Sequence, residues 1–564
     1  PILEATVKWK DLLAPHNEHR LFTTRLIALG LLAANDIWNP LLQMVVNAGL
    51  HIAAITTAIA CLSNVIGRQY LEALFVFSIF VFGIPFGWEN TLAGFQSNFY
   101  LVLLFSLGSM WCIITKEPFS KGWWFGVFLS LFAFLSLASG MFAAATAAIV
   151  LLLIYLLGRR KQRNLLIATA ILVLLSIIYF QLTPSLNGPG SPKAHSVSEF
   201  YFALVQMLGW PISKNILAAA IRNLPAFLFV GLMLFERPPI KDRKWYLLGA
   251  VIWMFMQIVS LAYGRAALSL SSRYQDFFTI SILINFCCLI SLGQILSCKK
   301  RTWVAGGIFL WVLVLLFSLG TFGIKHIPIE LINKRESGLL QEQNTRNFVF
   351  TGNIDFLKDK PFLHIPYPDA PSLASMLTIP EIREILPTNI RLPLSFENLE
   401  SKPENAFVNK GYYSTTPFLS DSVWGSYGLQ GNEATGQLTI WYKSIAPYKN
   451  ITLPIAGYPL NEGMKIELEQ HNVKRPIDIT NNPREAWEFV QLEIEEGPFV
   501  IHVPDPTKNF WISVGSPSIE GNYDRLALSL LSNAHLFFIA GIAIIILLCL
   551  FNVKRVMAKL NSID

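Results

Sequence analysis

A chain of 564 residues that is 53% hydrophobic, only 14% charged and of mean hydropathy +0.47 is too apolar for an ordinary soluble fold. It reads as a polytopic membrane protein. The net charge of +7 sits mostly in short loops between apolar runs, where it sets orientation, so a nucleic-acid partner is not expected.

All six cysteines, Cys61, Cys112, Cys287, Cys288, Cys298 and Cys549, lie in or beside apolar segments. The long polar region therefore has no disulfide, and the spacing fits no zinc motif. The sequence opens at Pro1 with a polar stretch, which predicts a signal or spanning helix upstream. Within residues 1–40 the apolar run Leu21 to Ala34 is too short to cross and is broken by Asp36 and Pro40. It predicts one or two interfacial helices.

Spans are expected at Leu41–Leu62, then at 70–86, 99–115, 122–138, 141–158, 164–182, 215–235, 245–263, 276–297 and 302–323, with a last one at 533–552. That makes about 11 in an α-helical membrane protein. The basic stretches Arg159-Arg160-Lys161-Gln162-Arg163, Lys241-Asp242-Arg243-Lys244, Lys299-Lys300-Arg301 and Lys554-Arg555 all fall on one side when the spans alternate. That side is read as cytoplasmic. The segment 200–213, ending Gly209-Trp210-Pro211, is too short to span and predicts a re-entrant or interfacial helix.

Residues 325–530 form the one large polar domain, and 531–564 the last span and its tail. The first half, through Leu373 to Leu377 and Ile382 to Leu386, looks helical. The second half carries period-two runs at Gln437–Tyr442, Ile451–Ile455, Lys465–Leu468, Phe489–Ile494, Phe499–Val503 and Trp511–Val514. These predict an antiparallel β-sandwich.

Ionisable groups concentrate in the outer loops. Pro15-His16-Asn17-Glu18-His19-Arg20 offers a base, an acid and an anion clamp within a few positions, the alternative being a solvated capping cluster. The next outer loop, Gly87-Trp88-Glu89-Asn90 with Gly94-Phe95-Gln96, combines a carboxylate, two amides and flat rings. That mixture suits a sugar or an interfacial aromatic belt. In the loop 264–275, Arg265, Arg273 and Tyr274 stand among serines, fit to bind a phosphate of either a substrate or a lipid headgroup. Lys214 and Arg222 are candidates for the same basic rim.

On these motifs, His16-Asn17-Glu18-His19-Arg20, Gly87-Trp88-Glu89-Asn90, Gly94-Phe95-Gln96 and Ser272-Arg273-Tyr274, the chain resembles the GT-C superfamily of polytopic glycosyltransferases over its whole membrane part. The resemblance implies an enzyme of the bacterial inner membrane that draws a sugar from a polyprenyl phosphate, with a C-terminal periplasmic sandwich. It matches Glu18 to the acidic catalytic residue of the first outer loop. Many members carry two adjacent acids there, whereas Glu18 stands alone, so Glu18, Glu89, His16 and His19 all remain candidates for the base. Arg20, Arg265, Arg273 and Tyr274 are the candidate donor-phosphate ligands, and Trp88, Asn90 and Gln96 the candidate sugar contacts.

No cofactor is assigned. His16, Glu18 and His19 are the ligands available to a divalent metal. The expected partners are a polyprenyl-phosphate sugar, a glycan or lipid-linked acceptor such as a surface polysaccharide or lipopolysaccharide, and membrane lipid. A flippase of a lipid-linked glycan and a non-catalytic envelope scaffold are the alternatives from other classes.

Overall fold

The computed structural model describes residues 8–158, 162–184, 192–295, 298–409, 423–428, 431–445 and 449–560. Arg159, Arg160 and Lys161 lie outside the described residues. So do the side chains of Lys299, Lys300, Arg301, Lys554 and Arg555.

The chain divides into two compact units. The first comprises residues 1–30, 40–333 and 529–564. It holds α1 (Trp9–Leu12), most of α2 (Phe22–Asn35), α3 (Pro40–Ile66), α4 (Leu71–Phe82), α5 (Trp88–Leu92), α6 (Ser97–Thr115), α7 (Lys121–Ser136) and α8 (Met141–Leu157). These are followed by α9 (Arg163–Leu182), α10 (Val197–Gly209), α11 (Ile216–Glu236), α12 (Lys244–Gly264), α13 (Ser272–Ile295) and, as far as Asn333, the long α14 (Cys298–Thr351).

Among the described residues, eight helices are long and apolar enough to cross a membrane, or nine if one bent C-terminal pair counts as a span. About 11 were expected. Two of the expected spans, at 70–86 and 122–138, are helices of 12 and 16 residues, about 18 and 24 Å long at a rise of 1.5 Å per residue. The expected boundary at 324 falls inside a helix, and the two compact units divide at residue 333. Helix α14 runs from Cys298 to Thr351 without a break, through Gly320, Gly323, Pro328 and Gly338.

Local chemistry sets the helix starts. Pro40 opens α3, where its missing N–H costs nothing. Ser120, Ser196 and Asn215 cap α7, α10 and α11 by accepting from the backbone N–H three residues on. Helices α6 and α7 meet at Gly126, where a Cβ would stand 2.7 Å from Ile113 Cγ1. The close approach lets Ser109 donate to the Gly126 carbonyl at 2.8 Å.

Helix α10 is 13 residues long, too short to cross. Its last carbonyls are held by Arg222 of α11, which is fully buried. The guanidinium donates to Met207 O and Leu208 O at 2.9 and 3.0 Å, to Phe278 O at 2.9 Å and to Ser281 Oγ. The carbonyl end of a helix carries partial negative charge, so it suits a cation without a carboxylate. Arg222 is therefore no part of a solvent-facing basic rim, as the sequence allowed; Lys214 is exposed.

The second unit comprises residues 31–39 and 334–528. Residues 31–39, expected to stay with the first interfacial segment, belong here because Asn35 and Asn39 donate to Asp524 Oδ1 at 2.8 and 2.5 Å. Its helical half includes α15 (Ala370–Leu377) and α16 (Pro380–Glu384), with Phe348, Val349, Leu357, Ile365 and Leu373 forming a small core.

Its other half is all-antiparallel. β1 (Phe396–Lys402), β2 (Val408–Asn409), β3 (Val423–Gly425), β4 (Gly436–Ile445), β5 (Lys449–Gly457), β6 (Glu467–Gln470), β7 (Val473–Pro476), β8 (Arg484–Ile494), β9 (Gly497–Asp505), β10 (Ile512–Gly515) and β11 (Ser518–Glu520) make two sheets. The orders are β1-β4-β9-β6-β7 and β11-β5-β10-β3-β2, with β8 beside β5. Leu438, Ile440 and Tyr442 lie opposite Val503, Ile501 and Phe499. With Ile451, Leu453 and Ile455 of the other sheet they share one core. The six predicted runs all overlap strands, Lys465–Leu468 only in its second half, and the two antiparallel sheets share a core. Helices α17 (Asp524–Ser532) and α18 (Ala534–Leu560) close the chain.

Candidate functional site

Glu18 sits at the tip of a two-residue turn. His16 N donates to His19 O at 2.7 Å and His19 N to His16 O at 3.0 Å, while Asn17 takes φ of 51°, which an asparagine tolerates well. Two arginines stiffen the surrounding loop. Arg25 Nη1 donates to the carbonyls of Leu12 and Ala14 at 2.8 and 2.5 Å. Arg20 donates to Leu13 O at 2.9 Å and, through Nε and Nη2, to Leu182 O at 3.2 and 3.1 Å. Arg20, a candidate phosphate ligand, is thus a strut between this loop and the end of α9. Leu21 holds φ of 43° with its side chain 2% exposed, a strained conformation kept by that burial.

Across 247 residues of chain, Glu18 meets Arg265 in a two-pronged ion pair. Nη1 donates to Oε1 and Nη2 to Oε2, both at 2.7 Å. Their side chains are 14% and 18% exposed, so the pair is sheltered and still reachable. Burial disfavours the Glu18 carboxylate, but the hydrogen bonds and charge of Arg265 outweigh it and hold the carboxyl at about 2. Burial also pulls the neighbouring His19 down to about 4, against the Glu18 charge. The imidazole is neutral, with Nδ1 accepting from Ala138 N at 3.4 Å, which leaves the ring proton on Nε2. His16 is exposed, with Phe95 at 5.0 Å between ring centroids in edge contact.

Glu89 forms a second pair from the next loop. Its Oε2 accepts from Ser271 Oγ at 3.0 Å, Ser272 Oγ at 2.7 Å and Arg273 N at 3.1 Å, so the carboxylate caps the first turn of α13 from outside. Oε1 accepts from Arg273 Nη2 at a longer 3.4 Å. Burial raises the Glu89 carboxyl, but Ser272, Arg273 and Ser271 together bring it below its ordinary value. Tyr274, 3% exposed, joins the two pairs. Its hydroxyl lies close enough to Arg265, Arg273 and Glu89 to interact with each electrostatically. The structure thus gathers two ion pairs, Glu18–Arg265 and Glu89–Arg273, around Tyr274.

The candidate sugar contacts fare differently. Asn90 is fully buried, and its Nδ2 donates to Asp276 Oδ2 at 2.7 Å and Arg273 O at 2.8 Å. It offers no edge to a sugar. Gln96 is 9% exposed within its turn, and Trp88 donates its Nε1 to Glu330 at 2.7 Å. Asn90 is therefore a strut of the loop, and Gln96 is packed within it. Gly87 explains how close the loop comes: a Cβ there would overlap the Asp276 carboxylate.

Sequence reasoning missed His51. It lies eleven residues into α3, with Nε2 3.5 Å from Asp276 Oδ1 and its ring stacked on Tyr100 at 4.6 Å. A cavity of about 80 Å³ opens among His51, Asp276, Thr91, Thr279 and Trp88, enough for a few water molecules. A histidine inside an otherwise apolar run was the available signal.

A larger groove of about 520 Å³ runs along α8 and α9, lined by Met141, Ile149, Leu152, Val173, Phe180 and Gln181 among others. Its Gln181 end touches the site's loop, since the next carbonyl, Leu182 O, is the one Arg20 holds. Among the described residues no three His, Cys, Asp or Glu side chains are grouped to hold a metal ion, so His16, Glu18 and His19 do not form the ligand set the sequence allowed. Comparison with models of known families, with curated proteins and with solved structures finds no match.

Proposed function

We propose that this membrane protein is a glycosyltransferase of the bacterial inner membrane. In this reading it moves a sugar from a polyprenyl phosphate to a glycan or lipid-linked acceptor on the periplasmic side. One juxtaposition carries the reading: an apolar groove along α8 and α9 runs up to the loop that holds Glu18, and Glu18 is paired with Arg265.

The groove matches a polyprenyl chain, each buried methylene contributing about 0.8 kcal/mol. Arg265 and Arg273 receive the phosphate, whose charge rises as the sugar departs. Glu18 takes the proton of the acceptor hydroxyl, and the loop struts of Arg20 and Arg25 fix where that carboxylate stands. The second outer loop serves mainly as support, with Glu89 capping α13 and Asn90 buried beneath it.

The test uses the full chain in nanodiscs with a panel of polyprenyl-phosphate hexoses and pentoses. Release of polyprenyl phosphate is followed by mass spectrometry. Wild type is expected to turn over at least one donor, and Glu18→Gln to insert normally while losing transfer by at least a hundredfold, the usual scale of a general base. Undiminished release by that variant dismisses the assignment. The flippase reading gains support from the buried Asp276–His51 pair, a type of group that ion-coupled transporters use. It predicts translocation of the lipid-linked sugar that survives Glu18→Gln.

A further inference from the structure

The Nη1–Nη2 edge of Arg265, one of its two forks suited to an oxyanion, is already taken. Nη1 and Nη2 each give a 2.7 Å bond to Glu18, one per carboxylate oxygen, and Nη1 also holds the Gly264 carbonyl at 2.8 Å. The fork that binds a carboxylate in two parallel bonds is the same fork that binds two oxygens of a phosphate. We infer that Glu18 and an anionic phosphate compete for this edge of Arg265, so that phosphate binding and release of the Glu18 carboxylate are one exchange. The inference rests on the transferase reading for its purpose, but not for its test.

The second pair shows what a non-exchanging carboxylate looks like. Glu89 keeps three donors, Ser271, Ser272 and the Arg273 amide, whether or not the Arg273 side chain is engaged. Its contact with the Arg273 guanidinium is single and long, at 3.4 Å. No side-chain donor other than Arg265 is bonded to Glu18 among the described residues. The two arginines therefore differ in kind. Arg273 reaches a phosphate without displacing its carboxylate from α13, whereas Arg265 offers its Nη1–Nη2 edge only by letting Glu18 go.

The exchange ties the base to the donor. While Arg265 holds it, Glu18 is a poor proton acceptor; once the guanidinium turns to phosphate, the carboxylate regains basicity. The acceptor's O–H proton then passes to Glu18 as its oxygen bonds the sugar carbon. The sugar–phosphate bond breaks with its electron pair on the phosphate oxygen, beside Arg265.

Competition gives a prediction opposite in sign to a structural role. Farnesyl phosphate, with farnesol as the uncharged control, is titrated by calorimetry into the full chain in nanodiscs. Glu18→Gln, which cannot hold the guanidinium as an anion, is expected to bind farnesyl phosphate about tenfold tighter than wild type. Arg265→Gln should bind it at least tenfold more weakly, and Glu89→Gln should show no gain. Farnesol affinity should be the same throughout. Equal or weaker binding by Glu18→Gln overturns the exchange.

Should that variant not fold, wild type with ¹³C-labelled glutamate serves instead. Farnesyl phosphate should shift a carboxylate stretch in the infrared difference spectrum, and an unchanged spectrum overturns the proposal. Tighter binding by Glu18→Gln without turnover of any sugar donor leaves the exchange standing and dismisses the transferase.

Discussion

The bond between Asn90 and Asp276 is the place where the second outer loop can be weighed against the bundle beneath it. Asn90→Leu keeps the volume and removes two hydrogen bonds, one to the Asp276 carboxylate at 2.7 Å and one to the Arg273 carbonyl at 2.8 Å. A bond to a charged partner contributes about 1.5–3 kcal/mol and a neutral one about 0.5–1.5, so the loss is about 2–4 kcal/mol. Asp276, 4% exposed, is left with His51 at 3.5 Å. The assay is unfolding in mixed micelles on titration with sodium dodecyl sulfate, run on wild type, Asn90→Leu, Asp276→Leu and the double variant. Once Asp276 is gone, the bond to it cannot be lost again. The double variant should therefore fall short of the summed single losses by about 1.5–3 kcal/mol. Additivity within about 0.5 kcal/mol would refute the claim that Asn90 holds the loop through this carboxylate.

Acid should weaken the Glu18 turn in two stages. His19 binds its proton at about 4 in the folded chain against 6.5 when unfolded, so the unfolded state gains protons first and stability drops as pH falls from 6.5 towards 4. Glu18, at about 2 against 4.5, contributes stability present above pH 4.5 and lost as pH falls towards 2. His19→Gln should flatten the upper window, and Glu18→Gln should remove the lower one and deepen the upper, because the Glu18 charge no longer holds the His19 proton; both are read from the melting temperature at a series of pH values. Arg222→Leu should free the C-terminal end of α10 and raise amide hydrogen exchange around Met207 and Leu208. Arg222→Lys should not rescue it, because a point charge cannot span the Met207, Leu208 and Phe278 carbonyls at once. Unchanged exchange in either variant would mean that α10 holds its position without the guanidinium.

What the sequence made legible follows its periodicities. The alternation in Gln437–Tyr442 and Phe499–Val503 gave both strands, because each buries every second residue against the same core. β2, β3 and β11, with two or three residues each, are too short to show a period and exist because longer neighbours pair with them. Within the membrane part, residue type named the charged groups but not their roles. Glu18 and Glu89 look alike as letters, yet one is held by a guanidinium and the other caps a helix. Asn90 looked like a sugar ligand because an amide serves equally well on a substrate or on a buried carboxylate. His51 was passed over because one imidazole barely lowers the hydropathy of a 27-residue helix.

His19 gives the pairing of Glu18 with Arg265 its direction. Had the adjacent imidazole been charged, a carboxylate released by Arg265 would meet a second cation within its own turn and stay a weak base. Burial keeps His19 neutral, and Ala138 N fixes its lone pair on Nδ1, so the ring has no charge to offer. Glu18 then has a single strong partner, and whatever draws Arg265 away restores its basicity. The stiffness of the loop matters for the same reason: with Arg20 and Arg25 tied to backbone carbonyls, no other guanidinium on that loop is free to take Arg265's place. A carboxylate set between a neutral histidine and one exchangeable arginine responds to an anion at that arginine more strongly than one embedded in a crowd of cations.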